Sequence, residues 1–409
     1  MKKIGFVIPW FGWDIPGGAE AELRGLVSHL AASGQEVEIL TTCVKQFASD
    51  WSVNYHKAKT TVERGVTIRR FKVDKRNKSS FAEVNRKLMA NELPLTAQEE
   101  AIYAKEMVNS QALYNYLLRS QEEYGLYVFI PYMFGTTYNG IQQCFDKSVL
   151  IPCLHDESYI YMDIFKKAFS RVRGMIFHAQ PEHDLACRVY DLSNVETAVL
   201  GEGVDTDWEG DGKRFRNKYH IEDPFILYAG RKDVGKNIHS LIYQFAEYKN
   251  AHDTNLKLVL IGGGKVDIPD DIKDEVYDLG FVDQQDKFDA YGAAMVLCQP
   301  SKNESFSLVI MESWLCGRPV LVHDSCLVTR HFAEISHGGL YFANYYEFEK
   351  AIDFYLEHPR LADEMGRQGR QFVMENFAWD VIVRKYLEYF RKVAGENVGR
   401  EDYAGNHMG

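Results

Sequence analysis

Ile4-Gly5-Phe6-Val7-Ile8-Pro9 is followed by Leu23, Leu26, Val27 and Leu30 at helical spacing, then by Gly34 and Val37-Glu38-Ile39-Leu40-Thr41. The first run is short and apolar and reads as a strand. The four spaced residues mark one helix face, Gly34 supplies its stop, and the last run is a second strand. Strand, helix and strand predict a parallel pair joined by a right-handed crossover. Further strands are expected at residues 126–130, 148–154, 176–179 and 197–200. The same grammar restarts with a strand at 225–229 and a helix whose face is Ile238, Leu241, Ile242, Phe245 and Tyr248, with Asn237 as its cap. Strands at 256–261, 295–298 and 320–322 follow. The fold class is therefore α/β, with two doubly wound, Rossmann-like halves joining near Val204 to Phe215 and facing a central cleft. In such sheets ligands bind at the carboxyl ends of the strands, which makes the cleft the expected site. Residues 80–124 read as a polar helical insert that Pro94 splits into two helices.

Composition sets the outer limits. A chain of 409 residues suggests two or three domains, and 46% hydrophobic with 26% charged residues is the balance of a globular protein. No apolar run has transmembrane length, and the N-terminus reads as a strand rather than a signal peptide. Seven cysteines without a CxxC pair point to reduced thiols and a cytoplasmic location. The net charge of −11 argues against nucleic acid as a partner. One stretch departs from that balance: Lys57, Lys59, Arg64, Arg69, Arg70, Lys72, Lys75, Arg76 and Lys78 are set against only Glu63 and Asp74. A solvated strand and loop explains it, and so does a surface facing anionic lipid headgroups or a diphosphate-bearing acceptor.

The chemistry concentrates in loops after strands. Glu304 and Glu312 lie eight positions apart in Asn303-Glu304-Ser305-Phe306-Ser307-Leu308-Val309-Ile310-Met311-Glu312-Ser313. Glu312 falls in an apolar helical run, where a carboxylate is costly unless partnered. With a helix starting near Glu304, the acids would be roughly 12 Å apart along the axis, the scale of a sugar nucleotide. A helix-start acid plus a buried structural ion pair is the other reading. Gly230-Arg231-Lys232-Asp233-Val234-Gly235-Lys236 places two cations, Arg231 and Lys236, before a helix, which suits a diphosphate; two solvated cations would give the same sequence. Gly17 and Gly18 open the first helix and allow close backbone approach to an anion, or form a plain turn. Gly262-Gly263-Gly264 lacks the later glycine of a dinucleotide fingerprint and reads as a tight turn. His155-Asp156-Glu157 follows the strand expected to end at Leu154, with His178 and His183 as weaker candidates.

Taken together, these loops resemble the retaining glycosyltransferases of the GT-B fold, in the family 4 group that uses nucleotide-sugar donors. The resemblance rests on Gly17-Gly18-Ala19-Glu20, the stretch from Gly34 to Thr41, His155-Asp156, Gly203-Val204-Asp205, Gly230-Arg231 with Lys236, Leu279-Gly280-Phe281-Val282, the pair Glu304 and Glu312, Gly317-Arg318-Pro319-Val320, and Gly338-Gly339-Leu340-Tyr341-Phe342. It implies an acceptor domain at 1–204, a nucleotide-sugar domain at 205–378, a helix at 379–396 returning to the first domain, and a polar tail at 397–409. Arg231 and Lys236 would hold the donor diphosphate, Glu312 the ribose and Glu304 the sugar hydroxyls. The amides of Phe306, Ser307 and Leu308 would meet sugar or phosphate. Gly17, Gly18 and Gly230 would give backbone access, Phe281 and Val282 would edge the base, and His155 would touch the transferred sugar. No cofactor or metal is expected, because no DxD pair occupies a strand-end loop and fixed cations take that role. The substrate would be a UDP- or GDP-sugar, and the acceptor a glycan or lipid-linked hydroxyl, with peripheral contact at the inner leaflet of the membrane. The segment Pro152 to Glu157 resembles members that build bacterial surface polysaccharides. Three departures stand out: Ser305 and Ser307 occupy positions where the family often has glycine, Glu202 stands where an asparagine is common, and the 80–124 insert lies outside the general pattern. A nucleotide-sugar epimerase and a non-catalytic nucleotide-sugar binder share the fold and remain as alternatives.

Overall fold

The computed structural model describes residues 1–396 as two compact α/β units. Among the described residues, the first comprises Met1–Gly203 together with 382–396. Its strands are β1 (Lys3–Ile8), β2 (Val37–Thr42), β3 (Thr60–Glu63), β4 (Val66–Phe71), β5 (Tyr124–Phe129), β6 (Ser148–Leu150), β7 (Gly174–Phe177) and β8 (Glu196–Val199), in the order β3-β4-β2-β1-β5-β6-β7-β8. All pairings are parallel except β3 with β4. β2 is buried throughout and β1 nearly so, as expected of strands covered on both faces. The helix Gly18–Ala32 buries Leu23, Leu26, Val27 and Leu30, the face read from spacing.

Two expectations for this unit need correction. The strand expected over 148–154 stops at Leu150, so an irregular segment separates β6 from His155. The insert forms three helices, not two: Lys78–Met89, Ala97–Glu106 and Gln111–Arg119. Pro94 lies in the first break. The second comes from a cap the sequence reading missed, Ser110, whose hydroxyl accepts from the N–H of Leu113 at 3.2 Å. The basic run also divides. Arg69 pairs with the buried Glu38 at 2.7 Å and the buried Arg70 with Glu63 at 3.5 Å, while Lys57, Lys59, Arg64, Lys72, Lys75 and Lys78 stay exposed. The helix Trp379–Ala394 joins this unit through Phe390, whose ring meets Phe6 at 6.4 Å, and through Tyr389, which donates to the carbonyl of Glu196 at 2.7 Å. The tail at 397–409 lies outside the described residues.

The second unit, Val204–Val381, carries β9 (Phe225–Ala229), β10 (Lys257–Ile261), β11 (Val276–Gly280), β12 (Val296–Gln299), β13 (Val320–His323) and β14 (Gly339–Phe342). The order is β11-β10-β9-β12-β13-β14, all parallel. β11 and β14 escaped the sequence reading because only one residue of the two strands, Phe342, is fully buried. Strand order reverses between β9 and β12 here, and between β1 and β5 in the first sheet. Such reversals open a crevice at the carboxyl ends of the strands, where doubly wound sheets take ligands.

Candidate functional site

The loops leaving β9 and β12 meet at the reversal in the second sheet. After β9, Asp233 organises the chain: its carboxylate accepts from the N–H of Lys236 at 3.0 Å and pairs with Arg231 at 3.4 Å. Tyr228 donates to the carbonyl of Arg231 at 2.5 Å. Of the three cations in the loop, Lys232 is buried and paired with Asp278. Arg231 is 75% exposed, and Lys236 turns toward the β12 loop. There Lys236 Nζ lies 2.6 Å from Glu304 Oε1, and the Glu304 side chain is only 10% exposed. Gln299, the last residue of β12, donates from Nε2 to Glu304 at 3.3 Å and to Ser307 Oγ at 3.5 Å. Asn237 does not cap the helix Ile238–Ala251 with its side chain, which instead donates to the carbonyl of Pro300 at 2.9 Å and ties the two loops together. Gly262 belongs to the same constellation: at φ 116° its backbone packs so closely that a Cβ would stand 2.1 Å from the carbonyl oxygen of Gly230.

The helix after β12 is Leu308–Leu315, so it begins four residues later than the estimate from Glu304 assumed. Glu312 therefore sits about one turn into the helix, and the axial separation of roughly 12 Å does not apply. Its two oxygens accept from Lys287 Nζ at 2.6 Å and from the Tyr291 hydroxyl at 2.8 Å. Burial and the neighbouring Glu312 carboxylate hold the Tyr291 phenol well above its usual range. Ser307, just before the helix, has φ 76°, a left-handed conformation that costs a residue with a side chain. Phe306 is buried against Phe332 and Phe377 at 5.4 and 5.0 Å, which anchors the turn and leaves the amides of Ser307 and Leu308 at the helix start. Phe281 is 87% exposed beyond β11, with Val282 half-buried beside it.

At the carboxyl ends of the first sheet, Gly17 precedes the helix Gly18–Ala32 at φ 139°, and a Cβ there would fall 1.8 Å from Glu20 Oε2. Glu20 accepts from the Trp10 indole, so Gly17 makes room for a buried carboxylate. A Cβ at Gly18 would meet nothing. His155 is 32% exposed, with Nδ1 4.0 Å from Glu157 Oε1. Burial pushes the Glu157 carboxyl up, and Tyr132 donates to it at 3.0 Å. His178, a weaker candidate in the sequence, is buried and ion-paired with Glu22. The residues that sequence reasoning missed are Gln299, Lys287, Tyr291 and Glu182. Only Gln299 carried a local signal, a polar residue closing the apolar run Met295 to Cys298.

A recess of about 1450 Å³ opens at the opposite end of the second sheet, lined by Pro224, Met295 and Arg318, which precede β9, β12 and β13. Its arginines are already engaged: Arg216 donates to the carbonyls of Glu222 and Ala293, and Arg318 to that of Gly292. It offers no strand-end chemistry.

Residues 211–372 match the family described as Glycosyl transferases group 1. The fold is that of the GT-B glycosyltransferases. Among curated relatives, an uncharacterized glycosyltransferase of Methanocaldococcus jannaschii is 26% identical over 235 residues, covering 52% of this chain and 58% of its own. The N-acetylgalactosamine-N,N'-diacetylbacillosaminyl-diphospho-undecaprenol 4-alpha-N-acetylgalactosaminyltransferase of Campylobacter jejuni is 33% identical over 206 residues, covering 47% and 53%. The chain thus spans about half the length of the curated relatives it matches. The crystal structure of Anabaena HepE in complex with UDP and glucose superposes with a TM-score of 0.65 at 15% identity, over 96% of this chain and 100% of that one.

Proposed function

We propose that this protein is a retaining, metal-independent glycosyltransferase that moves a sugar from a UDP- or GDP-sugar to a hydroxyl of a glycan or lipid-linked acceptor. The observation that carries the reading is the Lys236–Glu304 pair at the reversal between β9 and β12, inside the matched domain. Breaking the anomeric C–O bond builds negative charge on the leaving diphosphate. Arg231 and Lys236 are fixed cations where that charge develops, and such groups lower a barrier without reorganising. Glu304 holds sugar hydroxyls while keeping Lys236 in place. Glu312, oriented by Lys287 and Tyr291, takes the ribose. The amides of Ser307 and Leu308 face sugar or phosphate, Gly17, Gly18 and Gly230 leave backbone accessible, and Phe281 with Val282 edges the base. His155 contacts the transferred sugar. Retention follows from front-face attack with the donor phosphate taking the acceptor proton, so no covalent nucleophile is required.

The relative from Campylobacter jejuni is named for a diphospho-undecaprenol acceptor, which supports a lipid-linked acceptor here; a role in surface-polysaccharide synthesis is part of the same proposal. No helix among the described residues is long and apolar enough to cross a membrane. The exposed Lys57, Lys59, Arg64, Lys72, Lys75 and Lys78 fit peripheral contact with an anionic inner leaflet from the cytoplasmic side. Nucleoside diphosphate release that requires added acceptor, with the anomeric configuration of the product read by NMR, tests the reading. Donor consumption without acceptor would instead indicate an epimerase, and an inverted product would remove the retaining mechanism.

A further inference from the structure

Beneath the His155 loop, the first unit buries an ion-pair network that the proposed reaction does not use. His178 directly follows β7, Glu22 belongs to the helix Gly18–Ala32, and Glu182 to the helix Gln180–Val189. His178 Nε2 lies 2.7 Å from Glu22 Oε1, with the two side chains 1% and 4% exposed. His178 Nδ1 lies 3.7 Å from Glu182 Oε2, and that glutamate is fully buried. The Glu182 carboxylate also accepts two backbone N–H groups, from Leu154 and from His178, each at 2.7 Å. The Cys153 thiol points at Glu22 Oε2 at 3.8 Å from a left-handed backbone, φ 56°. Burial alone would lower the His178 pKa, but Glu22, Glu182 and Glu202 outweigh it and raise it to about 10, so the imidazole is cationic.

Buried ion pairs seldom stabilise a fold better than apolar residues of similar size, so this network calls for another reason. The reason lies in what Glu182 grips. β6 ends at Leu150, and the sheet ladder does not reach residues 153–155. The backbone N–H of Leu154, the residue before His155, is instead bonded to the Glu182 side chain. Glu182 is held in turn by His178, and His178 by Glu22 at the start of the first helix.

We infer that the Glu22–His178–Glu182 network is the positioning element for His155, setting the turn at 153–155 so that the imidazole meets the transferred sugar in one geometry. This rests on the glycosyltransferase reading in which His155 contacts that sugar. The charged and titratable groups around His178 include Glu22, Glu182, Glu202 and Cys153, with Tyr386 of the C-terminal helix alongside the same carboxylates. A shift of the turn by about 1 Å suffices to cost roughly 10²-fold in rate.

The test is a kinetic cycle on the full-length chain: wild type, His178→Gln, Glu182→Gln, His155→Ala, and the double variant His178→Gln/His155→Ala. Expected are a fall in kcat of about 10²-fold for His178→Gln and Glu182→Gln, with donor KM held within about twofold. The double variant should be no slower than His155→Ala alone, because residues acting through one another do not add. A generally loosened fold would instead add in full to the His155→Ala loss, and that result overturns the inference. So does a His178→Gln variant with full kcat. If His178→Gln does not fold, Glu182→Gln, which preserves shape, decides by the same cycle with His155→Ala. A stoichiometric bound metal whose removal stops transfer would also overturn it, since Glu22, Cys153 and His178 would then be ligands. Absence of transfer by the wild type fails the glycosyltransferase reading and takes the inference with it; an active wild type with an equally active His178→Gln fails the inference alone.

Discussion

Replacing Lys236 by alanine removes the one cation that the structure fixes against Glu304. The ammonium lies 2.6 Å from a carboxylate that is 10% exposed, and among the described residues only Gln299 Nε2 at 3.3 Å remains to it afterwards. Leaving a largely buried acceptor with a single long hydrogen bond costs about 1–2 kcal/mol of stability. Over a unit of this size, that lowers Tm by about 2–8 °C. The kinetic loss is larger. Removing one preorganised group at developing charge typically costs about 10²–10³ in kcat, or about 2.7–4 kcal/mol. Nucleoside diphosphate release in the presence of acceptor, measured below the variant's Tm, reads this directly. Lys236→Arg keeps the charge but replaces a point donor by a planar fork, and should recover part of the rate. A folded Lys236→Ala enzyme with kcat within twofold of wild type would refute the leaving-group role.

Other outcomes follow from the same geometry. Glu312→Gln should weaken donor binding about tenfold by titration calorimetry while the fold survives, because Lys287 and Tyr291 lose only a charge partner; unchanged affinity would assign Glu312 to structure alone. Ser307→Gly should raise Tm, since φ 76° costs a side-chain-bearing residue about 1–2 kcal/mol and the contact to Gln299 at 3.5 Å returns little. Transfer should persist in excess EDTA, and loss of rate restored by one divalent ion would contradict metal independence. His178 has its pKa raised from 6.5 to about 10, so its contribution to stability is complete below pH 6.5 and declines toward pH 10. Urea unfolding should therefore show wild type losing up to about 1.4 kcal/mol per pH unit across that window relative to His178→Gln. A difference independent of pH would contradict the imidazolium assignment.

The fold was legible because parallel strands buried on both faces leave near-continuous apolar runs, as in β1, β2, β9 and β12. β11 and β14 were not, because their mostly solvent-touched residues carry no such run. Three helices appeared where two were expected because Ser110 caps a helix without a proline or glycine to announce it. At the site, Glu304 with Lys236 showed up in sequence as residue types at strand ends, and the structure joins them across 68 positions. For Glu312, the structure shows the ion-pair reading, with Lys287 and Tyr291 on its two oxygens; the ligand reading belongs to the proposed function. The network behind His155 was invisible, because Glu22, Glu182 and His178 come from three separate elements and a buried glutamate looks in sequence like any exposed one.

On the proposed reading, the second unit binds a nucleotide sugar at the β9–β12 reversal through Lys236 without a metal. Thermal unfolding of wild type and Lys236→Ala against UDP, GDP and their sugars, each with and without EDTA, tests it most directly. A ligand at a hundredfold its Kd adds about 2.7 kcal/mol to the folded state. The expected result is a clear upward shift of wild-type Tm with one nucleotide series, unchanged by EDTA and much reduced in Lys236→Ala. No shift with any nucleotide, or a shift that vanishes with EDTA, would rule out metal-free donor binding through Lys236.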